Sequence, residues 1–153
     1  MPLTVKYIKR TLELFTQMVD ELSVDALNTI PAGFNNNIAW NFGHAIVTIP
    51  ALCYKRSGIR PDIEVPYFHR YVKGSKPTDV ATREELDELK DFATSILTQV
   101  EDDILAGVFV NIKPFATSTF VYDMDTVDEI LTAALAHTGL HYGYALAIKK
   151  TLG

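Results

Sequence analysis

The chain has 153 residues, a formal net charge of −5, 48% apolar residues and 22% charged residues. That balance can bury a proper core, which excludes a disordered or low-complexity protein and predicts one domain over residues 1–153. The basic residues are scattered, with no cluster beyond pairs such as Lys9-Arg10, Lys55-Arg56 and Lys149-Lys150, so nucleic acid is not an expected partner. The N-terminal stretch mixes apolar residues with Lys6, Lys9, Arg10 and Glu13, unlike a signal peptide, and no run approaches a membrane span. A cytoplasmic protein is expected. The single cysteine, Cys53, lies in an apolar stretch and reads as a packed thiol, in keeping with a reducing compartment.

In chain order, Ile8, Leu12, Phe15, Val19 and Leu22 repeat on one helical face, predicting a first helix over Leu3 to Leu22. Ser23 then caps a short turn, and Pro31-Ala32-Gly33 breaks the chain. Asn35-Asn36-Asn37 supplies cap-type side chains ahead of a second helix from Ile38 to about Tyr54. This helix carries two apolar stripes, one through Ile38, Phe42, Ala45, Ile49 and Leu52 and one through Trp40, His44, Val47 and Ala51. It should therefore be central, with any stripe left over available to a second copy of the chain. Pro50 should kink it or end it early.

Residues 57–80 contain Gly58, Pro61, Pro66, Gly74 and Pro77 among aromatics and read as a long connection, of the kind that often covers a site. Thr82-Arg83-Glu84-Glu85 is a capping-box pattern, and Leu86, Leu89, Phe92, Ile96, Leu97 and Val100 continue it as a third helix to about Gly107. Val108 to Tyr122 is rich in β-branched and aromatic residues and predicts an extended connection or short hairpin. Thr126-Val127-Asp128-Glu129 is a second capping box, opening a fourth helix to about Leu152. Four helices with these connections most simply form an all-α four-helix bundle.

Three of the four histidines fall on these helices. His137 and His141 are one turn apart, which places their Cβ atoms roughly 5–6 Å from each other on one face. They replace apolar residues in the seven-residue repeats Ala134, His141, Ile148 and Ile130, His137, Tyr144, so both should be partly buried. A buried imidazole nitrogen left unpaired costs about 1–3 kcal/mol. Metal coordination is one remedy and a hydrogen bond to a carbonyl or carboxylate is another. His44 brings a third imidazole, and three nitrogens at about 2.0–2.1 Å would hold a metal with a position open for water or substrate. Taken singly, His44 also reads as a core histidine bonded to a backbone carbonyl. His69, in the long connection, reads as a surface or loop-anchoring residue. Asp123 and Asp125 could supply carboxylates to a site, or favour the helix N-terminus they precede.

The segment Ile38-Ala39-Trp40-Asn41-Phe42-Gly43-His44, followed about ninety residues later by His137-Thr138-Gly139-Leu140-His141-Tyr142-Gly143, resembles the DinB/YfiT-like metalloenzymes. Tyr71-Val72-Lys73-Gly74-Ser75-Lys76-Pro77 adds to the resemblance, which extends over nearly the whole chain. It implies an up-down-down-up bundle and, frequently, a homodimer. It also implies His44, His137 and His141 as ligands of one divalent transition metal, nickel or zinc first, with manganese or iron as alternatives. Members with known activity activate a low-molecular-weight thiol for transfer to an electrophile, or use it in isomerisation; a metal-held thiol is readily deprotonated without a protein cysteine. Here Tyr67, Phe68, Tyr71 or Tyr142 would line the pocket of a small-molecule substrate. Many members carry an acid directly after the first of the paired histidines, where this chain has Thr138. That departure keeps a second expectation open, a non-catalytic metal-binding dimeric protein of stress responses; a third is a plain helical interaction module whose histidines satisfy each other through water.

Overall fold

The computed structural model describes all residues, 1–153, and the chain is helical with no strand. The first periodic segment forms α1 (Leu3–Glu21), burying Val5, Ile8, Leu12, Phe15 and Val19. Ser23 caps α2 (Val24–Asn28) by accepting the Ala26 N–H at 3.1 Å, and Asn37 caps α3 (Ile38–Pro50) by accepting the Trp40 N–H at 2.7 Å. Every residue of α3 except Thr48 is buried, so both apolar stripes are consumed inside the chain. This overturns the expectation that helix two leaves a stripe for a partner.

Pro50 has no N–H to continue the α-helical ladder, and the helix responds by widening. Residues Ala51–Arg56 form a π-helical turn, with the Ala51 N–H donating back to Val47 and Thr48. Its Tyr54 hydroxyl donates to Asp103 at 2.7 Å, and Arg60 grips the same carboxylate at 2.8 and 2.9 Å, pinning this turn to the third long helix. The long connection contains one helical turn that its sequence did not announce, α4 (Phe68–Tyr71), entered through Tyr67 in the left-handed region at φ +56°.

Thr82 caps α5 (Arg83–Leu105), accepting the Glu85 N–H at 3.1 Å. The expected box is only half made, because the Glu85 carboxylate turns instead to Tyr71 and Arg70. At α6 (Val127–Thr151) both halves form between Thr126 and Glu129. The segment between α5 and α6 is neither strand nor full hairpin; it is closed by a single antiparallel bridge between Phe115 and Met124.

Cross-contacts give the helix directions. Lys9 meets Glu101 at 2.7 Å and Asp20 meets Lys90, so α1 and α5 are antiparallel. Asn41 faces His141 and His44 faces His137, so α3 and α6 are antiparallel as well. Phe15 packs on Tyr142 and Glu21 reaches Lys149, making α1 and α6 parallel. The succession of long helices is up, down, down, up. Each of α1 and α3 neighbours both α5 and α6, and one apolar core fills the space between them. Within it Phe15 meets Phe42 edge-on at 5.1 Å, a geometry contributing about 0.5–1.5 kcal/mol beyond area burial. No helix is long and apolar enough to cross a membrane.

Candidate metal centre

The antiparallel contact of α3 with α6 brings His44, His137 and His141 together, one nitrogen from each lying within 4.8 Å of the others. His44 and His137 are buried and His141 is partly so. The Nε2 atoms of His44 and His137 are 3.1 Å apart. Two nitrogens bound at about 2.0–2.1 Å to one ion in tetrahedral or octahedral geometry stand roughly 2.9–3.4 Å apart, so this pair already has ligand spacing.

Two of the rings are oriented from behind. His44 Nδ1–H donates to the Tyr71 carbonyl at 2.7 Å, and His141 Nδ1–H donates to Asn41 Oδ1 at 2.8 Å. Asn41 cannot turn away, since its amide N–H groups are engaged by Asn36 Oδ1 and the Asn37 carbonyl, each at 2.8 Å. Both histidines therefore aim a bare Nε2 lone pair forward, as metal-ligating imidazoles do when an outer partner fixes the tautomer. His137 is different. Its Nδ1 is buried with no hydrogen-bond partner. If Nε2 carries the proton, the Nδ1 lone pair is unmet; if Nδ1 carries it, a buried donor is unmet and two lone pairs oppose each other at 3.1 Å. A cation among the rings relieves that opposition, so the residues fit a metal.

The motif around His44 has a physical reading. Trp40 stacks on the His44 ring at 4.6 Å and 10°, and its Nε1–H donates to Ser75 at 3.0 Å, which holds the imidazole plane. Gly43 is needed because the Tyr71 ring lies where a Cβ would stand, only 2.5 Å away. That close approach sets the Tyr71 carbonyl opposite His44, and the Tyr71 hydroxyl is anchored on Glu85, itself 3.0 Å from Arg70. Gly143, by contrast, meets nothing within 4 Å.

Burial holds all three imidazoles below their ordinary pKa. His137 is lowered to about 3, with His141 and His44 adding to the effect, and His141 to about 4, with His44 adding. At His44 burial outweighs the opposing pull of the Tyr71 carbonyl. The rings are neutral near pH 7, the state in which imidazole ligates.

A cavity of about 270 Å³ opens over the histidines, walled by the π-helical turn, Phe68, residues 72–73 and residues 117–120. Of the four aromatics expected there, Phe68 alone lines it. Tyr71 lies beneath Gly43's helix, Tyr142 packs on Phe15, and Tyr67 donates to Glu88. His69 is exposed and edge-on to Phe68, away from the centre, and Asp123 and Asp125 are exposed outside the cavity. Tyr144 turns outward against Phe34 rather than continuing the buried repeat. Thr138 is buried, its hydroxyl donating to the Ala134 carbonyl at 2.8 Å, and takes no part in the cavity wall. Cys53 is fully buried, and its thiol is pushed up to about 12. Asn41 and the Tyr71 carbonyl were not among the expected site groups; the available signal was an amide in an otherwise apolar helix, which needs partners once buried.

The family model for the DinB superfamily matches residues 7–145. The chain belongs to the DinB superfamily. None of the curated proteins matches it. The matched DinB span includes all three histidines together with Asn41, Gly43 and Tyr71.

Proposed function

We propose that this DinB-superfamily protein is a divalent-metal-dependent enzyme that uses a low-molecular-weight thiol against an electrophilic small molecule, with His44, His137 and His141 as the metal's protein ligands. One observation carries the reading: two imidazoles are locked with their Nε2 lone pairs forward, and the Nε2 of the third, His137, stands at ligand spacing, 3.1 Å, from that of His44. Three protein nitrogens are the ligand number of catalytic zinc sites rather than closed structural ones. Nickel or zinc is the preferred ion, with manganese or iron as alternatives. A bound divalent cation supplies Lewis acidity and lowers the pKa of a thiol held on it. The chain's own part is to orient the ligands, through Tyr71 and Asn41, and to wall off a small cavity. Cys53, buried and protonated, cannot serve as nucleophile, which favours a thiol from solution.

The proposal includes a cytoplasmic setting, in keeping with the free thiol, and a homodimer. The outer face of α6 favours the dimer, since Leu140, Tyr144 and Leu146 stand exposed among Gly139, Gly143 and Ala147. The second reading, a metal-binding protein without turnover, is favoured by the absence of any aspartate or glutamate in the cavity wall. Elemental analysis, followed by conjugation assays with several cellular thiols and a generic electrophile, tests both. Metal-dependent conjugation supports the enzyme; stoichiometric metal without turnover for any thiol supports the binder; no metal under any loading condition overturns both.

A further inference from the structure

The cavity over the histidines carries uncompensated charge. Lys55 and Arg56 enter it from the π-helical turn and Lys73 from the segment after α4, and no carboxylate lines it. Several other cations, Lys9, Arg60, Arg70 and Lys90 among them, lie within ion-pair distance of an acid, whereas none of these three does. In the cavity wall the contacts are neutral. Lys55 Nζ stands 4.9 Å over the Phe68 ring, Arg56 donates to the Ala116 carbonyl at 2.7 Å, and Lys73 donates to the Ser118 hydroxyl. These contacts orient the side chains without cancelling their charge. Three like charges gathered in one concavity repel each other and focus a positive field, in a chain whose net charge is −5. The hydroxyls of Thr117, Ser118 and Thr119 line the same space and add hydrogen-bond donors.

We infer that this cavity takes a small molecule bearing an anionic group, a carboxylate or a phosphate, which Lys55, Arg56 and Lys73 hold while the remainder lies toward the three histidines. At about 270 Å³ the space falls just under the roughly 300–1,000 Å³ of drug-sized pockets, which suits a compact metabolite rather than a polymer. Lys55 comes from the π-helical turn that continues the helix carrying His44 past Pro50, and Lys73 from the stretch directly after Tyr71, whose carbonyl orients His44. The inference names the substrate class of the site proposed above, and it rests on that reading only for the histidine end.

The test is titration of inorganic phosphate and, separately, succinate into the full-length chain at low salt, as purified and after chelation, followed by calorimetry and backbone amide shifts. Butane-1,4-diol is the uncharged control. Saturable binding of either anion, with shifts at residues 117–119 and none from the diol, is the expected result. A Lys55→Gln/Lys73→Gln variant should bind about tenfold or more weakly, since hydrogen bonds to charged groups contribute about 1.5–3 kcal/mol each. These side chains are at the surface end of the cavity, and an unchanged melting temperature verifies that the variant folds. Tighter phosphate binding assigns a phosphate ester and tighter succinate binding a carboxylate, and both support the subsite. No saturable binding, equal binding of the diol, or affinity unchanged in the double variant overturns it. A parent that takes no metal yet binds an anion after chelation sinks the metal reading and leaves this one standing.

Discussion

The floor and the mouth of the cavity are built on opposite principles. At the floor, His44 and His141 are each tied from behind by a fixed acceptor, Trp40 clamps one ring, and Tyr71 and Asn41 are themselves held by further bonds. At the mouth, Arg56, Lys73, Ser118 and Thr119 are exposed and end in rotatable groups. Fixed rings suit a ligand with strict distance requirements, such as a metal ion. Mobile cations and hydroxyls tolerate ligands of varied shape, at the cost of side-chain entropy when one binds. Floor and mouth thus divide strict coordination from adaptable recognition.

Substitutions that breach the floor should have the largest effects. His137→Ala should abolish stoichiometric metal, seen by elemental analysis, and leave the fold intact by circular dichroism. Gly43→Ala forces a methyl into the Tyr71 ring and should cost about 1–3 kcal/mol in denaturant unfolding as well as weakening metal retention. Gly143→Ala, with open space around it, should instead gain up to about 1 kcal/mol, as expected for glycine replaced inside a helix. Asn41→Ala should lower metal affinity by about 10–100-fold in competition titrations, the usual cost of losing an outer partner. An affinity equal to the parent's would mean that His141 is held by packing alone.

A pH series sharpens the same contrast. For His137 and His141 the folded values lie near 3 and 4 against 6.5 unfolded, so the unfolded chain binds more protons in that interval. Their contribution to metal-free stability is full above about pH 6.5 and lost as pH falls through 4 and then 3. Urea unfolding of the chelated protein should show this, and His137→Ala should flatten it. Smallest of all, Lys73→Gln at the mouth should change stability by less than about 0.5 kcal/mol, as exposed substitutions do.

Helix positions were legible because caps and periodicity are local: Ser23, Asn37, Thr82 and Thr126 mark the starts, and each does cap. The histidine trio was legible from its one-turn spacing and from the motif around His44. Its supports were not, since the Tyr71 carbonyl is 27 residues from His44 and Asn41 is 100 from His141, and only packing joins them. The second stripe of α3 was misread because a sequence does not say how many neighbours a helix will have; α2, α4, α5 and α6 all cover it. The cationic mouth was equally hidden, since Lys55-Arg56 looked like one short pair among several and Lys73 lay in a loop.

The diverted carboxylate of Glu85 has a wider meaning. By leaving its capping box for the Tyr71 hydroxyl, it ties the first turn of α5 to the residue whose carbonyl steadies His44. Occupancy at the histidines should therefore be felt as slower amide exchange at the start of α5, on the other side of Tyr71, making that turn a natural reporter of whether the centre is loaded.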